Sequence, residues 1–557
     1  MILVPPPHTV HHSSEKFSGD KDFVVQETDG KLANEHYILE ISPDQITLKS
    51  NSDAGFFYGQ KTLGQILEQS GNDIPCLTIS DWPDFEARGF LLDISRCQVP
   101  TLKTIFELID TLGSLKINQL HLYSEHTFAY PGHELVWGDA SPLHPQDIKA
   151  IDAYCKNNFI ELVPHQNSFG HMEKWLQHPE YCFLAECPQG FIHPVTGKEC
   201  SPSTLKPNGT SLAFLKKLYA ELLPNFSSGL FHVGMDEPWE LGQGWSRPMV
   251  ESQGKNEVYL HFLNDVYNIV QSHKKGMLFW ADIVMEKPEL AHKIPTESIP
   301  VIFGYEADFV FNKHCETIAK QGNCFYVAAG TSTWRSFSGR LDNALVNIKN
   351  AARSGFRFRA NGLMLNQLGD LGNHQPWAAV YPPLVQGASS AWNPAKSESL
   401  QVAEALNKVI FCDPTGNIGK ALCKLGRIEN NFSNKLVNSS FNHCFFFGDS
   451  EAVENALNKI SPLEMGAQAS QLDEIDHLAS SAQLSTPDAD LIKEDIHLAT
   501  DMIRWANQRA LSTLPSSDSP HLRASLKQLI GRYCEHWLRR NRPGGLLESS
   551  DYLRDML

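Results

Sequence analysis

Positive charge is scarce in this 557-residue chain: 47 Lys and Arg face 64 Asp and Glu, a formal net charge of −17. Such a surface repels a polyanion instead of exchanging counterions with it, so nucleic acid is not expected as a partner. No apolar run is long enough to cross a bilayer, and no membrane partner is expected. The opening Met1-Ile2-Leu3-Val4-Pro5-Pro6-Pro7 lacks a basic stretch and an apolar core of signal-peptide length, so no secretory signal is expected. The 12 cysteines are scattered without a Cys-x-x-Cys pair, which suits reduced thiols and a cytoplasmic location. Cys182, Cys187, His193 and Cys200 gather in one segment, yet their spacings match no common zinc pattern. No metal and no cofactor is expected, and a neutral substrate fits the composition best.

What is present is ordinary for a folded protein: 42% hydrophobic and 20% charged residues. The length calls for about two or three domains. Eleven Trp, 14 Tyr and 30 Phe supply flat apolar faces, usable against sugar C–H surfaces and equally usable as core.

Up to about Ile79, strand-like runs (Tyr37–Ile41, Gln45–Leu48) accompany one amphipathic helix, Ala54 to Glu68, with Phe57, Leu63, Ile66 and Leu67 at helical spacing. Asp81-Trp82-Pro83-Asp84 closes this α+β unit. From Arg88 the texture becomes buried strand, polar loop, amphipathic helix. Candidate strands are Gly89–Ile94, Gln119–Tyr123, Ile160–Pro164, Leu230–Gly234, Met277–Ala281, Pro300–Gly304, Cys324–Ala328 and Gly362–Asn366. Eight such strands alternating with helices predict an α/β fold, a (β/α)8 TIM barrel. A doubly wound sheet is the alternative, but no Gly-rich phosphate loop follows the first strand. Beyond Trp392 the strands stop. Helix-like stretches Ala452–Ile460, Leu491–Leu511 and His521–Arg539 follow, joined by polar segments such as Pro515-Ser516-Ser517-Asp518. The expected units are residues 1–83, 84–395 and 396–557.

The chemistry centres on Gly229-Leu230-Phe231-His232-Val233-Gly234-Met235-Asp236-Glu237, an apolar strand ending in two adjacent carboxylates. Two acids forced together in a partly apolar pocket titrate apart, one ionised and one protonated, which suits acid/base work on a glycosidic bond. A barrel's active site lies at the C-terminal ends of its strands. Those ends carry Asp93 and Arg96, Glu125 and His126, His165 and His171, Asp236 and Glu237, Trp280 and Asp282, Tyr305 and Glu306, Trp334, and Asp370 with His374.

Leu91-Leu92-Asp93-Ile94-Ser95-Arg96 and His232-Val233-Gly234-Met235-Asp236-Glu237 resemble the two signature motifs of glycoside hydrolase family 20, the β-N-acetylhexosaminidases. Ala54-Gly55-Phe56-Phe57-Tyr58-Gly59-Gln60-Lys61-Thr62-Leu63 resembles the helix of that family's accessory domain, and the likeness runs from roughly Ile38 to Trp392. It implies an exo-acting retaining enzyme that releases terminal β-linked N-acetylglucosamine or N-acetylgalactosamine. In substrate-assisted catalysis the substrate's own 2-acetamido oxygen is the nucleophile. Its substrate partner would be an oligosaccharide or smaller molecule ending in an N-acetylhexosamine. On this resemblance Glu237 is the general acid, while Asp236 stays ionised, holds the acetamido N–H and stabilises the oxazolinium-like charge.

The same resemblance makes Arg96 a clamp on sugar hydroxyls; the plain alternative is a salt bridge to Asp93. His171 stands in the place of the family's Pro-Gly-His histidine, with Glu125, where Asp is commoner, able to orient it; packing is the alternative. Trp280 and Trp334 would wall the acetamido box or stack on the sugar, against a core role for each. Asp370 would bind the sugar's outer hydroxyls, or else be a loop carboxylate. Two departures stand out. No tyrosine matches the family's near the seventh strand, with Tyr305 and Tyr326 the nearby candidates, and the tryptophan before the eighth-strand acid is Leu368. His374 and Trp377, in Gly372-Asn373-His374-Gln375-Pro376-Trp377, would compensate or simply pack the loop. Rival readings are a catalytically silent carbohydrate-binding barrel, which would have shed the acids, and a metal-dependent hydrolase, which would want His-x-His where Asp93-Ile94-Ser95-Arg96 stands. The helical C-terminal region is suited to form a homodimer or to cover the barrel's edge.

Overall fold

The computed structural model describes residues 1–21, 23–512 and 519–557; the Pro515–Asp518 segment lies outside the described residues. Strands β1 (Thr9–Lys16), β2 (Val24–Thr28), β3 (Tyr37–Ile41), β4 (Ile46–Ser50) and β5 (Pro75–Asp81) form a five-stranded sheet in the order β1-β5-β3-β4-β2. The Asp53–Ser70 helix covers it, capped by Ser52, whose hydroxyl accepts the Gly55 N–H at 3.1 Å. Leu63 and Ile66 are buried as their spacing predicts, but Tyr58 takes the place expected for Phe57, which is only partly buried.

The barrel strands are β6 (Ala87–Asp93), β7 (Gln119–Tyr123) and β8 (Glu161–Pro164), then, after a short outlying hairpin β9 (Phe191–Ile192)/β10 (Glu199–Cys200), β11 (Leu230–His232), β12 (Gly276–Trp280), β13 (Ile299–Phe303), β14 (Tyr326–Gly330) and β15 (Gly362–Gln367). All eight pair in parallel in the order β11-β12-β13-β14-β15-β6-β7-β8, and a bridge between His165 and His232 joins the two ends. Every residue of β6, β7, β14 and β15 is buried, because a parallel sheet wrapped by helices has no wet face. The seventh strand sits two residues later than its apolar run suggests: Tyr326 pairs with Val301, and Cys324 is exposed. The fourth is shorter, ending at His232.

Helices follow from their apolar stripes. In Leu102–Ser114, Ile105, Leu108, Ile109 and Leu112 recur at three- and four-residue steps and are all buried. Thr101 caps that helix through the Thr104 N–H at 3.2 Å, a contact of about 1 kcal/mol. Inside the barrel lie Leu91, Tyr123, Leu278, Trp280, Val301, Ala328 and Met364, with three buried histidines, His121, His165 and His232, beside them.

A buried polar knot ties the small sheet to the barrel's floor. Asp81 accepts hydrogen bonds from Tyr37 Oη (2.7 Å), Lys116 Nζ (3.0 Å) and Trp392 Nε1 (2.8 Å). Arg88 holds Glu35 through both terminal guanidinium nitrogens, at 2.9 and 3.1 Å. The rest of the chain is helical, including Pro462–Ser481, Ala489–Leu511, Pro520–Arg540 and Leu546–Arg554, and packs against the barrel. No described helix is long and apolar enough to cross a membrane.

Candidate active site

Past His232 the chain leaves the sheet in a turn with positive φ at Gly234 (68°), Met235 (76°) and Glu237 (47°). Such values cost non-glycine residues on the order of 1–3 kcal/mol each, so surrounding contacts must hold the turn. Trp280 N–H donates to the Gly234 carbonyl at 2.9 Å, and Glu237 N–H donates to Asp282 Oδ2 at 3.1 Å. Gly234 has no room for a Cβ beside Asn167, nor Gly170 beside the Asp236 carbonyl, so the third-strand loop closes directly onto the acidic pair.

His171 joins the two acids. Its Nε2 lies 3.2 Å from Asp236 Oδ2 and 3.5 Å from Glu237 Oε2. Burial would raise the Asp236 carboxyl, but the charge and hydrogen bond of His171 outweigh it and hold Asp236 below the usual carboxylate range. Burial would lower His171, yet Asp236 keeps the imidazole protonated well above its ordinary value. Glu237 moves the other way: burial raises it, His171 offsets only part, and the charge of Asp236 adds to the rise. The two neighbouring acids are thereby shifted in opposite directions. Glu237 is the more open of the two, its side chain 41% exposed against 13% for Asp236. Asp236 Oδ1 is buried without a protein partner.

Arg96 forms the opposite wall. Nη1 donates to Asp93 Oδ2 at 3.0 Å, Nη2 lies 3.4 Å from Glu125 and Nε 3.6 Å from Asp370. Its guanidinium sits 4.6 Å from the Tyr123 ring centre. The salt bridge to Asp93 therefore exists, and it leaves the other nitrogens turned toward Glu125 and Asp370. Glu125 does not orient His171 by direct contact. It accepts from Tyr123 Oη at 2.8 Å and faces Arg96, because Tyr123, two residues earlier at the end of β7, aims its hydroxyl there. Burial pushes Glu125 up to about 7, with Arg96 and His171 opposing the rise.

The aromatic candidates divide. Trp280 caps the barrel's interior packing beside His232 (4.4 Å between rings) and Phe303 (5.2 Å). Trp334 is 1% exposed, with its indole N–H donated to Asn438 Oδ1 at 2.7 Å and its ring edge-on to Tyr305 at 5.0 Å. It buttresses Tyr305 and presents no open face. Tyr305 is half-buried at the end of β13, where its hydroxyl accepts from Asn366 Nδ2 at 3.0 Å. Tyr326 starts β14 at the barrel's other end, which removes it as an alternative.

His374 and Trp377 lie away from the acids. His374 is buried against the C-terminal helices: Nε2–H donates to the Ser549 carbonyl at 2.9 Å and the ring stacks on Phe447 at 4.9 Å. Burial lowers it to about 4. Trp377 packs under Arg540, 5.9 Å from its ring centre. Both belong to an interface between distant parts of the chain, which the nearness of Asp370 in sequence conceals.

Asp282, Tyr123, Asn167 and Asn366 complete the arrangement. Burial, then the charge of Asp236, push the Asp282 carboxyl well above its ordinary range. Asn167 Nδ2 donates to Tyr123 Oη at 2.7 Å. Each stands at or just past a strand's C-terminal end, which was the available signal. Among the described residues no group of three or more His, Cys, Asp or Glu is arranged to hold a metal ion.

Two family models match the chain: "Glycosyl hydrolase family 20, catalytic domain" over residues 138–356 and "Glycosyl hydrolase family 20, domain 2" over residues 3–82. The first spans His171, Asp236, Glu237, Trp280 and Tyr305 but not Arg96 or Asp370. The chain is 29% identical over 217 residues to beta-hexosaminidase subunit A1 of Dictyostelium discoideum, covering 37% of this chain and 39% of that one. It is 26% identical over 278 residues to the rat beta-hexosaminidase subunit beta, covering 46% and 50%. The matches thus span about half the length of these relatives or less. Among solved structures, the Flavobacterium johnsoniae chitobiase superposes with a TM-score of 0.58 at 17% identity, over 100% of this chain and 99% of that one. An exo beta-N-acetylglucosaminidase from Vibrio harveyi, in complex with N-acetylglucosamine, gives 0.60 at 16% identity over 76% and 77%. At such identities the structural likeness speaks for the fold.

Proposed function

The chain belongs to glycoside hydrolase family 20, and on that premise we propose that it is an exo-acting, retaining β-N-acetylhexosaminidase. Glu237, protonated and open to the mouth, gives its proton to the departing glycosidic oxygen. The substrate's 2-acetamido oxygen attacks the anomeric carbon as that bond breaks, forming an oxazolinium-like ring. Asp236, kept ionised by His171, accepts the acetamido N–H and stabilises the positive charge. Glu237, now ionised, takes a proton from the incoming water, whose oxygen opens the ring with net retention. Tyr305 spends its oxygen lone pair on Asn366, so its own hydrogen is available to the acetamido carbonyl. Arg96 and Asp370 bind the outer hydroxyls of the terminal sugar.

One observation carries this reading: Asp236 pairs one oxygen with His171 and holds the other buried with no partner. A buried, unpaired carboxylate oxygen is costly, and an incoming N–H satisfies it. Free cysteines at all 12 positions suit a reducing compartment, so the proposal places the enzyme in the cytoplasm.

The test compares an aryl β-N-acetylglucosaminide with the matching β-glucoside on wild type, Glu237→Gln and Asp236→Asn. We expect turnover of the acetamido sugar alone, Asp236→Asn to lose most of it, and Glu237→Gln to fail where the leaving group is poor. Equal cleavage of the plain glucoside refutes substrate assistance. Loss of activity in EDTA would favour the metal-dependent rival.

A further inference from the structure

The Leu546–Arg554 helix and the turn before it lie far from Asp236 in sequence, yet they grip the two loops that carry Arg96 and Asp370. On the first-strand loop, Arg542 N–H donates to the Val99 carbonyl at 2.8 Å, and Gln98 Nε2 donates to Asn541 Oδ1 at 2.6 Å. Gly545 passes so close to the Cys97 carbonyl that a Cβ there would collide with it. On the eighth-strand loop, the buried Ser549 is the hub. Its hydroxyl donates to the Gly372 carbonyl and accepts from Tyr533 Oη at 2.6 Å, while its carbonyl accepts from His374 Nε2 at 2.9 Å.

These loops also hold each other. Asn373 Nδ2 donates to the Arg96 carbonyl at 3.2 Å, and Gly369 N–H donates to Asp93 Oδ2 at 2.9 Å, the same oxygen that takes Arg96 Nη1. A continuous run of contacts thus leads from Tyr533 and Ser549, through Gly372, His374 and Asn373, to the backbone and guanidinium of Arg96. Asp370 stands in the middle of the gripped loop, three residues from Asn373 and 3.6 Å from Arg96 Nε.

We propose that the C-terminal segment Asn541–Ser549 is the positioning element of the sugar clamp, with Ser549 and His374 as positioning residues that set the Arg96–Asp370 pair and so the recognition of the terminal sugar's outer hydroxyls. This rests on the reading of Arg96 and Asp370 as sugar-binding groups. The segment also reaches the loop of His171, where Lys174 Nζ donates to Glu548 Oε2 at 2.8 Å. Ser549 and His374 make their hydrogen bonds elsewhere, to Gly372, Tyr533 and each other, so these two residues govern binding and leave the proton chemistry of Asp236, Glu237 and His171 alone. A displacement of about 1 Å in a positioning group is enough to weaken an active site severely.

The experiment uses the full chain with Ser549→Ala and, separately, His374→Gln. For an aryl β-N-acetylglucosaminide we expect KM to rise roughly tenfold with kcat within about threefold of wild type. On the 3-, 4- and 6-deoxy analogues the deficit should shrink for whichever hydroxyl the clamp holds, since that contact is already gone. A fold-stabilising role alone would reduce the active fraction, lowering kcat with KM unchanged for every analogue, and that pattern overturns the proposal. Hydrogen exchange supplies an arm independent of activity: amides of Arg96 and Gly369 should exchange faster in both variants. Unchanged protection also overturns it. Faster exchange in both variants, together with a wild type that cleaves no acetamido sugar, refutes the hydrolase reading while leaving the mechanical coupling established.

Discussion

Nε2 of His171 lies 3.2 Å from Oδ2 of Asp236, closer than to the neighbouring Glu237. The difference assigns the charges: the imidazolium pairs with Asp236, which stays ionised, while Glu237 keeps the influence of burial and of a negative neighbour. A helix-end charge pair would leave both acids ionised and solvated. Here one contact from another loop separates their roles.

Removing that contact has a signed effect on the pH profile. Asp236 must be ionised, so activity is lost as pH falls through its depressed pKa; Glu237 must be protonated, so activity is lost as pH rises through its raised one. His171→Gln takes away the cation that depresses Asp236, and the acid limb of kcat should move to higher pH. We expect kcat to fall on the order of 10²-fold. An acid limb left in place would show that His171 does not control Asp236.

Tyr305→Phe keeps the ring against Trp334 and deletes only the hydroxyl. If that hydroxyl holds the acetamido carbonyl, kcat/KM on acetamido substrates should fall on the order of 10²-fold, with little change in unfolding by urea. A loss below about threefold would assign the carbonyl to another donor.

The barrel's interior histidines make stability depend on pH. Burial lowers His121 to about 3 and His165 to about 4, the neighbouring histidine charge lowering His121 further and Asp236 partly offsetting the fall at His165. Both are neutral in the folded chain and gain protons on unfolding at acid pH. Stability from this source is full above about pH 6.5 and drains as pH falls toward 4, by on the order of 3 kcal/mol per histidine. Urea midpoints measured from pH 7 to pH 4 should decline, and His165→Gln should flatten the decline. An equal slope in the variant would point to other groups.

At the floor of the barrel, Asp81→Asn would leave Lys116, 1% exposed, without its counter-charge. Breaking a buried pair from one side costs about 3–5 kcal/mol. The first unfolding transition in urea should move down accordingly, while activity per folded molecule holds. A shift under about 1 kcal/mol would mean that water reaches Lys116.

Much of this was legible in one dimension. Burial on both faces of parallel strands forces continuous apolar runs, and short runs alternating with helical stripes leave few architectures besides a barrel. The same logic puts chemistry at strand ends, which is why Asp236, Glu237, Arg96 and His171 were found together. Strand edges are less legible, and most differ from their apolar runs by one or two residues: β6 starts earlier, β14 starts and ends later, and β11 ends earlier, since ladder pairing and the turn at Gly234 decide where a strand stops.

By itself, then, the sequence determined the barrel, the small sheet before it, the helices after it and the acidic pair, because periodicity and local composition encode which faces are buried. Only the tertiary structure decided who meets whom. Glu125 turns to Tyr123 and Arg96 instead of His171, Trp334 stands behind Tyr305, and His374 and Trp377 belong to the C-terminal helices. Gly369 reaches Asp93 across 276 positions and His374 reaches Ser549 across 175. Contacts of that range depend on how separate loops pack, and no local pattern carries them.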